Sequence, residues 1–145
     1  MATYKEIKGV TVQTRDEDPV IGGVAGGTWS TGGTLNSDRE SWAGVSGTRD
    51  ASITFGGYPG SPSNANTEKY DGTSWTEVND LNEGRHCNAG SVNGSQTATL
   101  CFGGTSPVTT DNESWNGTNW TEVGELNTAR FYVMGAGTST AALGY

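Results

Sequence analysis

Short runs of small apolar and polar residues, closed by Gly or Asn, mark out strands along the chain. The clearest runs are His86 to Val92 and Gln96 to Phe102, separated by Asn93-Gly94. Runs of this length and punctuation predict strands. Asn-Gly predicts a two-residue hairpin turn, because both residues tolerate positive φ. With that turn as centre, Val92 faces Ser95, Gly90 faces Thr97, Asn88 faces Thr99, His86 faces Cys101 and Cys87 faces Leu100. Gly103-Gly104 ends the return strand, since paired glycines permit a sharp change of direction. Glu113 to Trp115 predicts a third strand, Asn116-Gly117 a turn, and Trp120 to Val123 a fourth. The expected unit is a four-stranded antiparallel sheet.

That unit recurs. Trp29, Trp75 and Trp120 stand 46 and 45 positions apart. Each is followed by one phrase: Leu35-Asn36-Ser37-Asp38-Arg39, Leu81-Asn82-Glu83-Gly84-Arg85 and Leu126-Asn127-Thr128-Ala129-Arg130. A glycine follows five residues after each arginine, at Gly44, Gly90 and Gly135, and two copies then reach Phe55-Gly56-Gly57 and Phe102-Gly103-Gly104. Glu68 to Trp75 aligns without gaps on Glu113 to Trp120. A small twisted sheet cannot bury both faces alone, so copies must stack. Trp75 and Trp120 are expected to pack between neighbouring sheets. Arg85 and Arg130 are expected to satisfy loop carbonyls or a neighbouring carboxylate rather than a ligand.

Composition agrees with this reading. Apolar residues make up 32% and charged residues 17%, while 23 positions are Gly, a turn-rich all-β balance. Five Trp, five Tyr and three Phe at recurring places argue for an ordered chain. The formal charge of -8, with only eight scattered Lys and Arg and no basic patch, argues against a nucleic-acid partner, and none is expected. No apolar run approaches the length that spans a bilayer, and Met1 to Ile7 has no export-signal core. No membrane association is expected.

Residues 1–27 read as an N-terminal strand or attachment arm followed by a Gly-rich link. Tyr4, Ile7, Val10 and Val12 are partly period-two, ahead of Arg15-Asp16-Glu17-Asp18-Pro19 and Gly22-Gly23-Val24-Ala25-Gly26-Gly27. This arm either completes a sheet or pairs with another subunit. Residues 28–145 form the repeat domain, with units at about 40–80 and 86–124 and a half unit at 130–145.

An apolar strand ending in Gly-Gly, then Tyr-Asp, then Trp, then a turn into Arg resembles the kelch repeat. Phe55-Gly56-Gly57, Tyr70-Asp71, Trp75 and Arg85 supply one copy. Phe102-Gly103-Gly104, Trp115-Asn116, Trp120 and Arg130 supply a second, with Trp for Tyr and Asn for Asp. The resemblance covers about residues 28 to 145. It implies kelch-like four-stranded blades in a partial or oligomer-completed β-propeller, with Trp29, Arg39 and the Gly-Gly pairs as repeat landmarks. The wording Asn-Gly-Thr-x-Trp-Thr-Glu-Val, with the start Met1 to Gly9, resembles kelch-like structural proteins of tailed phages, especially those of marine bacteria. That implies a virion component of capsid, tail or fibre, assembled in the host cytoplasm, whose partners are other virion proteins or copies of itself. Two complete units, a half unit and a stub at Trp29 fall short of the four blades a ring needs. Either the array continues elsewhere in sequence, or several chains pool their blades.

Chemistry-bearing residues are sparse. His86 is the sole histidine, too few for a copper site and a poor basis for a Ser-His-Asp triad. Asp16-Glu17-Asp18 side chains point in different directions, against a Ca²⁺ site. Asp71-Gly72-Thr73-Ser74-Trp75 is similar to the Asp-box of sialidases, but the spacing differs and it reads as a turn. Cys87 and Cys101, one residue out of register, are expected on opposite faces and unbridged. The expectation is therefore a non-enzymatic protein without metal or cofactor. The alternative is a glycan-binding propeller, lectin-like or receptor-binding, in which Trp42, Tyr70 and Trp115 stack on a cell-surface glycan. Burial discriminates between the two: if Trp75 and Trp120 are sealed between sheets, the glycan reading loses its best residues.

Overall fold

The computed structural model describes residues 31–40, 43–60, 62–86, 88–105 and 107–145. Trp29, Trp42, Cys87 and the arm and link at 1–27 lie outside the described residues. Gly32–Tyr145 form one compact unit.

Among the described residues every regular element is a β-strand, and every pairing is antiparallel. The first sheet takes β1 (Gly44–Thr48), β2 (Ala51–Phe55), β3 (Thr67–Tyr70) and β4 (Trp75–Val78) in chain order. The second takes β5 (Ala89–Gly90), β6 (Thr99–Phe102), β7 (Asn112–Trp115) and β8 (Trp120–Val123), again in chain order. A two-stranded hairpin, β9 (Gly135–Gly137) and β10 (Ala142–Gly144), follows. The sheets are not closed on themselves.

The link between the third and fourth strands is the same in both sheets. Asp71 Oδ1 accepts from the amides of Thr73 and Ser74 at 2.8 Å each, and Asn116 Oδ1 accepts from those of Thr118 and Asn119 at 2.9 Å each. Gly72 (φ +94°) and Gly117 (φ +97°) supply the left-handed residue beside each cap. The Asp-box-like phrase is thus a turn whose carboxylate serves its own backbone. These amide hydrogen bonds, that of Ser74 foremost, hold the Asp71 carboxyl below its ordinary pKa.

The first hairpin of the second sheet departs from its expected register. Gly90 pairs with Cys101 and Ala89 with Phe102, a slip of four residues from the Asn93-Gly94 centre. The tight turn falls at Gln96-Thr97, closed by reciprocal bonds between Ser95 and Ala98. Gly94 is needed for closeness instead: a Cβ there would lie 2.6 Å from Ser46 Oγ and 2.8 Å from the Ser91 carbonyl. Asn93 donates its amide to the Gly137 carbonyl of β9, tying the loop to the next hairpin. A tertiary contact has overridden the local turn preference.

The larger core lies between the two sheets. Ile53 and Phe55 from β2 meet Cys101, Trp115 and Trp120 from β6, β7 and β8, with Leu81 closing one side. Phe55 and Trp120 meet edge to face at 4.7 Å, a favourable aromatic geometry. Trp120 Nε1 donates to Thr67 Oγ1 of the first sheet at 2.9 Å, so its polar end is satisfied inside the core. A smaller core of Ala89, Phe102 and Val133 joins the second sheet to the hairpin.

Candidate functional site

The recurring phrase Leu-Asn-x-x-Arg builds a buried carboxylate clamp. In the first copy Arg39 Nη2 lies 3.1 Å from Glu68 Oε1, and the amide and Nδ2 of Asn36 bind Glu68 Oε2 at 2.7 and 3.0 Å. In the second, Arg85 Nη2 lies 2.8 Å from Glu113 Oε1, and the amide and Nδ2 of Asn82 bind Oε2 at 2.8 Å each. Each arginine also donates to the carbonyl two residues before its glutamate, Asn66 or Asp111, at 2.9 Å. All four charged side chains are buried. Burial alone would raise the Glu68 pKa, but hydrogen bonds from Asn36, Arg39 and Ser37 outweigh it and hold the carboxyl below its ordinary value. Each clamp fastens the loop before a sheet to that sheet's third strand.

In the third copy no such clamp forms among the described residues. The chain carries Leu126, Asn127 and Arg130, but β9 and β10 supply only the first two strands of a sheet. Asn127 and Arg130 are exposed, and among the described residues the Arg130 guanidinium has neither ion pair nor hydrogen-bond partner. Its backbone is held as in the second copy: Gly104 donates to the Arg130 carbonyl at 2.8 Å, as Gly57 does to Arg85 at 2.9 Å.

Large apolar side chains are exposed in the same segment. Phe131, Tyr132, Met134, Leu143 and Tyr145 are each more than half exposed. Tyr132 holds φ at +56°, unusual for a bulky side chain, and its ring lies 4.8 Å from that of Phe131. Tyr132 and Met134 also border a groove of about 420 Å³ along the first strands of the three sheets, where Val45 and Val92 are exposed. Close backbone approach shapes this groove. A Cβ on Gly90 would sit 2.5 Å from the Val45 carbonyl, and one on Gly135 would sit 2.1 Å from the Gly90 carbonyl.

The expected site residues fall into three groups. Arg39 and Arg85 form the clamps. Gly56 and Gly103 (φ +68° and +63°), then Gly57 and Gly104 (φ +104° and +113°), make the left-handed exits after β2 and β6. Of the aromatics proposed to meet a glycan, Trp115 is 1% exposed with Nε1 bonded to the Gln96 carbonyl, so it has no face to offer a sugar. Trp120 is likewise buried between sheets. Tyr70 and Trp75 are half-buried and packed against each other at 5.0 Å. Glu68 and Glu113 were not singled out from the sequence as the carboxylate partners, although both head the gapless alignment of the two Glu-to-Trp phrases; Asn36 and Asn82 stood in the recurring phrase without an assigned role.

Ser63 Oγ lies 2.8 Å from His86 Nδ1, while Tyr58 stacks against the ring at 4.8 Å. In a serine triad Nδ1 faces the carboxylate. Here the hydroxyl takes that position, and among the described residues no carboxylate pairs with the ring. Cys101 is a free buried thiol, pushed by desolvation up to about 12 and contacted by Asn88 Nδ2 at 3.1 Å. Among the described residues no group of three metal-ligating side chains converges, and no helix is long and apolar enough to cross a membrane.

These features define an all-β repeat protein whose charged and aromatic landmarks mostly join one sheet to the next. No protein-family model matches the chain, and no curated protein sequence matches it.

Proposed function

We propose that this chain is a non-enzymatic structural protein whose stacked, kelch-like sheets serve assembly and display, as a component of a phage capsid, tail or fibre. The observation that carries the reading is that the repeat's landmarks are spent on holding the sheets together: two arginine-glutamate clamps fasten the loops between sheets, and Trp120, Ser46 and Gln96 tie one sheet to the next. The first strands of successive sheets lie side by side, as blades do around a propeller axis, which supports an array continued by further blades. The virion setting rests on the resemblance of the Asn-Gly-Thr-x-Trp-Thr-Glu-Val wording to phage structural proteins. Burial of Trp115 and Trp120 weighs against a glycan site, while Trp75, expected to pack between sheets, is half-buried against Tyr70.

Sedimentation equilibrium of the purified chain tests the assembly reading. Concentration-dependent association is expected, weakened by the pair Met134→Lys and Leu143→Glu. A monomer at all concentrations, with no association to other particle proteins, would sink it. Mass spectrometry of purified phage particles tests the setting, and consistent absence of the chain from particles argues against a virion role.

A further inference from the structure

We propose that Asn116 is a self-modification site: its own turn promotes loss of the side-chain ammonia and converts the asparagine to aspartate. The other Asn-Gly pair of the same sheet, Asn93-Gly94, is protected by its packing.

An asparagine followed by glycine deamidates without an enzyme, because the next backbone nitrogen reaches the side-chain carbonyl unhindered by a Cβ. The Gly117 nitrogen bonds to Asn116 Cγ as its proton passes to hydroxide, and Oδ1 takes the negative charge of a tetrahedral intermediate. Collapse breaks the Cγ–Nδ2 bond, and Nδ2 leaves as ammonia with a proton from water. Water then opens the cyclic imide, at Cγ to give aspartate or at the main-chain carbonyl to give isoaspartate. Solvent supplies every co-reactant, and nothing is oxidised or reduced.

The turn places two donors where that charge develops. Asn116 Oδ1 accepts from the amides of Thr118 and Asn119 at 2.9 Å each, the donor type and distance that stabilise an oxyanion. Both donors are fixed from outside, since Asn79 Nδ2 of the first sheet binds the Thr118 carbonyl at 3.0 Å and Asn119 Oδ1 at 2.7 Å. Asn116 is exposed to water, and among the described residues the Gly117 amide donates no hydrogen bond. At the other pair the nucleophile is tied down. The Gly94 amide donates to the Ser91 carbonyl at 2.7 Å. A Cβ on Gly94 would lie 2.6, 2.8 and 2.9 Å from Ser46 Oγ and the Ser91 and Ala98 carbonyls, so this glycine has no room to swing toward the Asn93 side chain. Among the described residues no amide donates to Asn93 Oδ1.

The first sheet displays the product. Asp71 stands where Asn116 does, accepts from the amides of Thr73 and Ser74 at 2.8 Å each, and is followed by Gly72 at φ +94° against +97° for Gly117. Tyr70 pairs with Trp75 across that turn as Trp115 does with Trp120. Aspartate therefore fits position 116 on the same backbone, and its charge strengthens the two amide bonds.

The test is incubation of the full chain at mildly alkaline pH, folded and in concentrated urea, followed by fragment-ion mass spectrometry. The tryptic peptide 86–130 holds both asparagines, since no Lys or Arg lies between Arg85 and Arg130. In urea the two sites share a following glycine and should convert at similar rates. In the folded chain Asn116 should convert at least about tenfold faster than Asn93, a fraction of the factor of about 100–1,000 that one such donor is worth in a water-excluded enzyme site. Equal folded rates, a faster Asn93, or a folded Asn116 slower than the same residue in urea overturns the proposal. Asn116→Asp should melt with the parent, and a clear fall in its melting temperature would overturn the claim that the turn accepts the product.

Discussion

Arg85 and Arg130 occupy the same place in successive copies of one phrase, yet only Arg85 is buried and paired. Removing one partner of a buried ion pair strands the other without water. Arg85→Ala should therefore cost about 3–5 kcal/mol, whereas Arg130→Ala should stay within about 0.5 kcal/mol in the isolated chain. Urea unfolding midpoints of the two variants check the contrast. Glu68 adds a pH signature. Its folded pKa lies below its ordinary value, so its contribution is present above that ordinary value and is lost as pH falls through it toward the folded one. Urea midpoints measured from pH 7 down to pH 3 should fall more steeply for the parent than for Glu68→Gln; parallel curves would remove Glu68 as a source of acid sensitivity. At this scale the arginines were legible as repeat landmarks, because spacing alone shows them. Their glutamate partners were not, because about 29 residues separate Arg39 from Glu68 and only the fold brings them together.

Between elements, glycine does two different jobs. Gly56, Gly57, Gly103 and Gly104 take left-handed backbone after β2 and β6, a role the paired-glycine pattern predicts. Gly44, Gly90 and Gly135 are spaced just as regularly but serve close approach: Gly44 and Gly90 accommodate the Phe55 ring, and Gly135 that of Phe102. Gly90→Ala must displace the Val45 carbonyl and should destabilise by about 1–3 kcal/mol. Gly124→Ala meets nothing within 4 Å and no positive φ, so it should be neutral or stabilise by about 0.4–1 kcal/mol. Calorimetric melting of the two variants distinguishes these roles, and equal shifts would refute the packing argument. The hairpin turn in the second sheet carries the same lesson. Asn93-Gly94 satisfied every local rule for a turn, but Ser46 and Gly137 from neighbouring sheets held that loop in another path.

Across the whole molecule, cooperativity rests on a few links between sheets. Trp120 reaches Phe55 and Thr67, Gln96 donates to the Ser52 and Tyr70 carbonyls, and Ser46 Oγ donates to the Ser91 carbonyl at 2.6 Å. In a stacked array these nearest-neighbour contacts carry much of the stability. Trp120→Ala should cost about 3–5 kcal/mol and should separate unfolding of the two sheets into distinct transitions. Superimposable denaturation curves from fluorescence and far-ultraviolet circular dichroism in that variant would argue against such coupling. The sequence by itself determined the strand-rich class, the repeat and most turn positions, since periodic strands and Gly or Asn reversals are local properties of the chain. Tertiary structure alone decided the hairpin register, which aromatics were sealed from solvent, and which glutamate each buried Asn-Arg pair grips. Those outcomes depend on groups distant in sequence: the Ser46 and Gly137 contacts that hold the loop, the facing sheet that covers Trp120, and the third-strand carboxylates that reach Arg39 and Arg85.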